Sequence, residues 1–229
     1  MIDDRHGPLP ALLLALTVLG GVVDAVSIAR LDHVFVAAQT GNFVLIGLGI
    51  AGIRGFSVAA SAISLGSFLL GALAGARICR NSRDHRGRAL RNITAFKAVL
   101  ALPATLVALL AGGHFGYGVR IVLTILLAAS MGGQLALIRY LKVPDLMTVV
   151  LTLTMTGAVT DRVSGPRDVT LLRRGLALAA FAVGVIAGGL LIRFVSAGAA
   201  LALGLAIILA VGLASQRVSR TSAPWSAPR

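Results

Sequence analysis

The stretch VFVAAQTGNFVLIG, residues 34–47, decides how the rest of the chain is read. It is apolar at both ends and carries Gln39-Thr40-Gly41-Asn42 in the middle. A helix crossing lipid has little use for four polar or flexible residues at its centre. A soluble loop has equally little use for such oily flanks. The stretch is either a packing device or a site, and the residues around it identify the solvent.

That solvent is lipid. Hydrophobic residues make up 57% of the 229 and charged residues 13%, with a mean hydropathy of +0.93. Apolar runs approach the roughly 20 residues a spanning helix needs. They fall at 9–30, 34–53, 56–78, 92–112, 119–138, 146–159, 174–194 and 196–214. The first run has the look of a secretory signal, but equally oily runs follow it, so it reads as a retained span. Residues 1–214 therefore form one polytopic membrane domain, and the polar, proline-bearing tail 215–229 reads as disordered and cytoplasmic. Cys79 is the single cysteine, which excludes an intrachain disulfide and a cysteine-built metal centre. No cofactor or metal motif appears.

The net charge of +13 does not point to nucleic acid, because the basic residues sit between apolar runs rather than in one patch. Their positions test the topology. With all eight runs crossing, ten basic residues fall on each side, Lys97 aside. Suppose instead that 34–53 and 146–159 enter and leave on one side. Sixteen then fall inside, against Arg30, Arg54, Arg120 and Arg193 outside. Only the second arrangement obeys the positive-inside rule. Run 146–159 is also short, since fourteen helical residues reach about 21 Å against a hydrocarbon core of about 30 Å. The expected fold is all-α and membrane-integral, with six spans plus two re-entrant segments.

Three crossings per half turn the second half upside down, which predicts an inverted 3+3 repeat with halves 9–112 and 119–214. A shift of 112 pairs Gly20-Gly21 with Gly132-Gly133 and Thr40 with Thr152, and a shift of 113 pairs Gly71xxxGly75 with Gly184xxxGly188. Identity between the halves is otherwise near chance. Gly71, Gly75, Gly184 and Gly188 read as close helix packing.

The stretch GGVVDAVSIARLDHVFVAAQTGNFVLIGLGIAG, residues 20–52, closely resembles the amino-terminal signature of the YoaK-like bacterial membrane proteins, Gly-x-x-Asp-Ala followed by Ala-x-Thr-Gly-Asn. Gly21, Asp24, Ala25, Thr40, Gly41 and Asn42 hold those positions here. The resemblance implies an inner-membrane protein of about six spans and leaves the function unassigned. Members tend to carry a second Thr-Gly element later in the chain. Here that stretch reads Leu151-Thr152-Leu153-Thr154, with Thr156-Gly157 nearby.

The polar residues inside the spans are the candidate site. Asp24 reads either as a proton or cation site or as an interfacial carboxylate that pairs with Arg30 or caps the next turn. Gln39, Thr40, Gly41 and Asn42 offer side chains and unwound backbone to a solute, or else hold a helix contact. Gln134, Thr152, Thr154 and Thr156 are their second-half counterparts. Lys97, five residues into its run, is expected to snorkel to the headgroups, with a counter-ion role to Asp24 as the alternative. Two functions fit. One is a small-solute or ion carrier, channel-like, of unknown substrate; the other is a non-transporting scaffold or subunit of a membrane complex. The implied partners are the bilayer, its anionic headgroups, an unidentified small solute and further copies of the chain. Catalysis is not expected, because His6, His33, His85 and His114 fall in tails or loops and no HExxH motif or phosphate loop is present.

Overall fold

A computed structural model describes residues 7–82, 85–142, 168–220 and 224–226. Among them lie seven α-helices and no strand: α1 Leu9–Arg30, α2 Gln39–Ile50, α3 Val58–Asn81, α4 Arg86–Leu110, α5 Tyr117–Leu141, α6 Asp168–Phe194 and α7 Ala197–Val218. All but α2 are long and apolar enough to cross a membrane. The run 146–159 lies outside the described residues. Helix starts follow local chemistry. Ser57 and Ser196 accept the Ala60 and Ala199 amides at the heads of α3 and α7, and His85 Nδ1 accepts the Gly87 and Arg88 amides at the head of α4. Leu69, Leu70 and Leu73 on α3, and Val183, Ile186 and Leu190 on α6, stay exposed, as apolar side chains facing lipid do.

The crossings are set by glycine. A Cβ on Gly21 would stand 2.3 Å from the Phe181 carbonyl oxygen of α6, and one on Gly184 would stand 2.1 Å from that of Val18 on α1. The α3–α5 crossing repeats this: Gly71 meets the Ala129 carbonyl oxygen, and Gly132 that of Phe68, each at 2.0 Å. Only a residue without a side chain lets backbones approach so closely.

These crossings belong to a wider symmetry. The principal helix contacts are α1–α6, α3–α5, α4–α7, α4–α5, α1–α7, α6–α7, α3–α4, α1–α5 and α2–α3. Exchanging α1 with α5, α3 with α6 and α4 with α7 returns the same set, α2–α3 alone excepted. Each half thus packs its first helix against the second spanning helix of the other half. Arg30 at the end of α1 and Arg120 near the start of α5 line one cleft, so these equivalent helices run antiparallel. Among the described helices the arrangement is inverted and interlocked.

The run 34–53 turns back. Asp32 before α2 and Gly55 after it line that same cleft, so the chain enters and leaves at one end. Residues 34–38 form a non-helical descending limb, and the twelve residues of α2, about 18 Å long, return against α3.

Two boundaries differ from expectation. Helix α4 begins at Arg86, not near 92, because the His85 cap starts it inside an arginine-rich stretch that hydropathy scores as loop. At the far end, α7 continues to Val218 and Pro224–Ser226 forms a 3-10 turn, so part of the tail expected to be disordered is ordered. Gly7, at φ +54°, leaves room for the Trp225 ring, and Arg86 donates to the Trp225 carbonyl at 3.3 Å and to that of Leu141.

Candidate functional site

The polar break closes on itself. Asn42, fully buried, accepts the Phe35 amide with Oδ1 at 3.0 Å and donates through Nδ2 to the Phe35 carbonyl (2.6 Å) and to Gln39 Oε1 (2.7 Å). Gln39 Nε2 donates to the Val36 carbonyl at 3.0 Å, and Ser64 on α3 donates to the Phe35 carbonyl at 2.6 Å. Gly41 makes room for the Phe35 ring, which a Cβ there would meet at 2.5 Å. Asp24 on α1 completes the knot. Its carboxylate accepts the Ala37 amide at 3.2 Å and also the Val36 amide, so it fastens the descending limb to α1. Side chains thus pair the Phe35, Val36 and Ala37 amides and the Phe35 and Val36 carbonyls, while the Ala37 and Ala38 carbonyls accept the Gln39 and Gly41 amides.

Asp24, Gln39, Gly41 and Asn42 are therefore brought together, but around the protein's own backbone. Thr40 faces outward. Thr152, Thr154 and Thr156 lie outside the described residues.

Lys97 and Gln134 form a separate cluster. Lys97 is fully buried halfway along α4, packed into the bundle where a snorkelling lysine would point outward. With α4 starting at Arg86 this residue stands at mid-helix, and its side chain turns into the bundle. Its Nζ donates to Gln134 Oε1 at 2.6 Å and lies 3.5 Å from the Ser130 carbonyl and 3.7 Å from Met131 Sδ. Gln134 Nε2 in turn donates to the Leu16 carbonyl at 3.1 Å. One chain of bonds thus ties α4 and α1 of the first half to α5 of the second. Lys97 and Asp24 do not pair, and among the described residues no carboxylate pairs with Lys97.

The third feature is a vestibule of about 780 Å³ at the arginine-poor end. It gathers Arg30, Asp32, His33, His114 and Arg120 from three loops and helix ends. Arg120 donates to the Asp32 carboxylate and, through Nε, to the Phe115 carbonyl at 2.7 Å; His33 Nδ1 donates to the Ile28 carbonyl at 2.9 Å. Asp32 and His33 hold φ of 55° and 59°, an unusual backbone for such residues. Deeper, α1, α4, α5 and α7 enclose a void of only about 10 Å³ beside Thr105 and Ser130, room for about one water. The bundle is closed there.

Comparison with known proteins agrees with this architecture. Residues 12–214 match the family described as Protein of unknown function (DUF1275). The chain belongs to that family. It is also 32% identical over 187 residues to the UPF0700 transmembrane protein YoaK of Bacillus subtilis (strain 168), covering 76% of this chain and 80% of that protein. No solved structure matches the chain significantly.

In this DUF1275 protein the signature has a physical reading. Gly21 sets the α1–α6 crossing, Asp24 and Asn42 hold the descending limb, and Gly41 seats Phe35. Sequence reasoning missed the vestibule. The available signals were the Asp32-His33 pair ahead of the break and the Gly112-Gly113-His114 turn, which are remote from each other in the chain.

Proposed function

We propose that this multi-pass membrane protein is a small-solute carrier whose working interface is the seam between its two halves. The observation that carries the reading is Lys97. An ionisable side chain buried at mid-helix, bonded across the junction of an inverted repeat, is costly to keep in a membrane and marks a pathway by default. The vestibule supplies an approach from one end, and the tight void beneath it corresponds to a closed gate. By the positive-inside rule the arginine-rich end is cytoplasmic, with both termini inside and the vestibule outside a bacterial plasma membrane. No catalytic step is proposed. The knot around Phe35 is assigned a structural role, so the solute site belongs to Lys97 and Gln134 rather than to Asn42.

The test is solute flux into liposomes reconstituted with the full chain, compared with protein-free liposomes and with Lys97→Met. Flux that depends on the protein and falls in the variant supports the carrier. A second reading, a non-transporting scaffold, draws on the self-satisfied polar break. It requires that no solute move and that loss of Asn42 affect only stability and recovery of partners.

A further inference from the structure

We infer that the transported solute is a small anion, with Lys97 supplying its counter-charge at the seam; this rests on the carrier reading above. The argument begins with position. Lys97 is thirteen residues from the end of α4 and Ser130 thirteen from the start of α5, so both lie about 20 Å below the vestibule end. Ser130 presents its carbonyl to Lys97 and also lines the void, while Thr105, eight residues nearer the vestibule end of α4 and so about 12 Å higher, lines the same void. Vestibule, void and Lys97 therefore follow one another down the α1–α4–α5 seam.

Among the described residues, the charge along this line that is not cancelled by an ion pair is positive. Arg30 stands at the mouth and Lys97 at the bottom. The single carboxylate in the vestibule, Asp32, is engaged by Arg120. The other buried acid nearby, Asp24, is turned to the Ala37 and Val36 amides of the descending limb, away from Lys97. Lys97 is left with three neutral neighbours, an amide oxygen, a backbone carbonyl and a thioether. A metal or organic cation moving down this path meets like charge at both ends, and a neutral solute gains nothing from the lysine. An anion gains at the mouth and finds at the seam the partner that the lysine lacks. The void admits about one water, so the halves must part to let the anion through.

The experiment uses full-length protein in liposomes with nitrate, acetate and phosphate as anion probes, potassium as a cation and glycerol as a neutral solute. Thermal unfolding of the detergent-solubilised protein with the same probes runs in parallel. Protein-dependent nitrate, acetate or phosphate flux, reduced at least about ten-fold in Lys97→Met, is the expected result. The three probes separate inorganic from carboxylate substrates. Flux of glycerol or potassium without anion flux overturns the anion inference and leaves the carrier standing. Anion flux unchanged in Lys97→Met overturns the role of Lys97. If nothing moves, the carrier reading fails. Anion binding then survives only if the wild-type midpoint rises by about 3 °C or more with an anion and not with glycerol. Should Lys97→Met not fold, wild-type selectivity among the probes decides the question.

Discussion

Asn42 holds Phe35 by both backbone groups, accepting its amide at 3.0 Å and donating to its carbonyl at 2.6 Å, as a neighbouring strand would. A side chain thereby replaces a missing element of secondary structure. The six residues between them form the hinge of the re-entrant element.

Asn42→Leu is the direct test of that relationship. It strands the Phe35 amide and Gln39 Oε1 in a buried place, while the Phe35 carbonyl keeps the Ser64 hydroxyl. The expected loss is about 2–3 kcal/mol of stability, read as a lower unfolding midpoint in detergent. The same loss should appear with and without any solute, because the bonds are internal.

Gly41→Ala sets a new methyl against the Phe35 ring and should lower stability by about 1–3 kcal/mol. Shortening the ring relieves that clash, so Phe35→Leu combined with Gly41→Ala should fall less than the two single effects added together. A double-mutant cycle measures the difference.

The glycine crossings offer an internal control. Gly71→Ala and Gly184→Ala place a methyl about 2 Å from a backbone oxygen of the facing helix, at 2.0 and 2.1 Å. Backbone cannot swing aside, so both should unfold well below wild type, to a similar degree. Gly66 on α3 has nothing within 4 Å, and Gly66→Ala should be neutral or slightly stabilising through helix propensity. Equal tolerance at all three positions would remove the interlocked packing from the account.

Gln134→Leu should destabilise more than Lys97→Met. The first strands a buried ammonium without its nearest acceptor, 2.6 Å away, whereas the second removes the ammonium and keeps the volume. Combining the two should recover part of the Gln134→Leu loss. Thermal midpoints of the four proteins decide it.

Much of the fold was legible because lipid imposes two simple rules. Apolar length marked the six spans, and arginine placement required the run 34–53 to turn back. What these rules cannot report is the partner of a polar group. Asp24, Gln39 and Asn42 stood out as anomalies, yet their partners are the amides and carbonyls of residues 35–37, which carry no sequence signal. Lys97 was misplaced for a related reason. Hydropathy starts a segment where apolar residues start, near 92, while the helix starts where His85 caps it. The vestibule comes from loops more than 80 residues apart, such as those of Asp32 and Arg120, and no local pattern brings them together.

The central claim is that the chain doubles back between α1 and α3, which makes the two halves inverted copies. Single cysteines at His33, Arg54, Lys142 and Arg220, in a Cys79→Ser background, can be labelled with an impermeant thiol reagent in intact cells and in inverted vesicles. The account requires 33 and 54 to label from outside and 142 and 220 from inside. Labelling of 33 and 54 from opposite sides would make α2 a full crossing and contradict the inverted repeat on which the carrier rests.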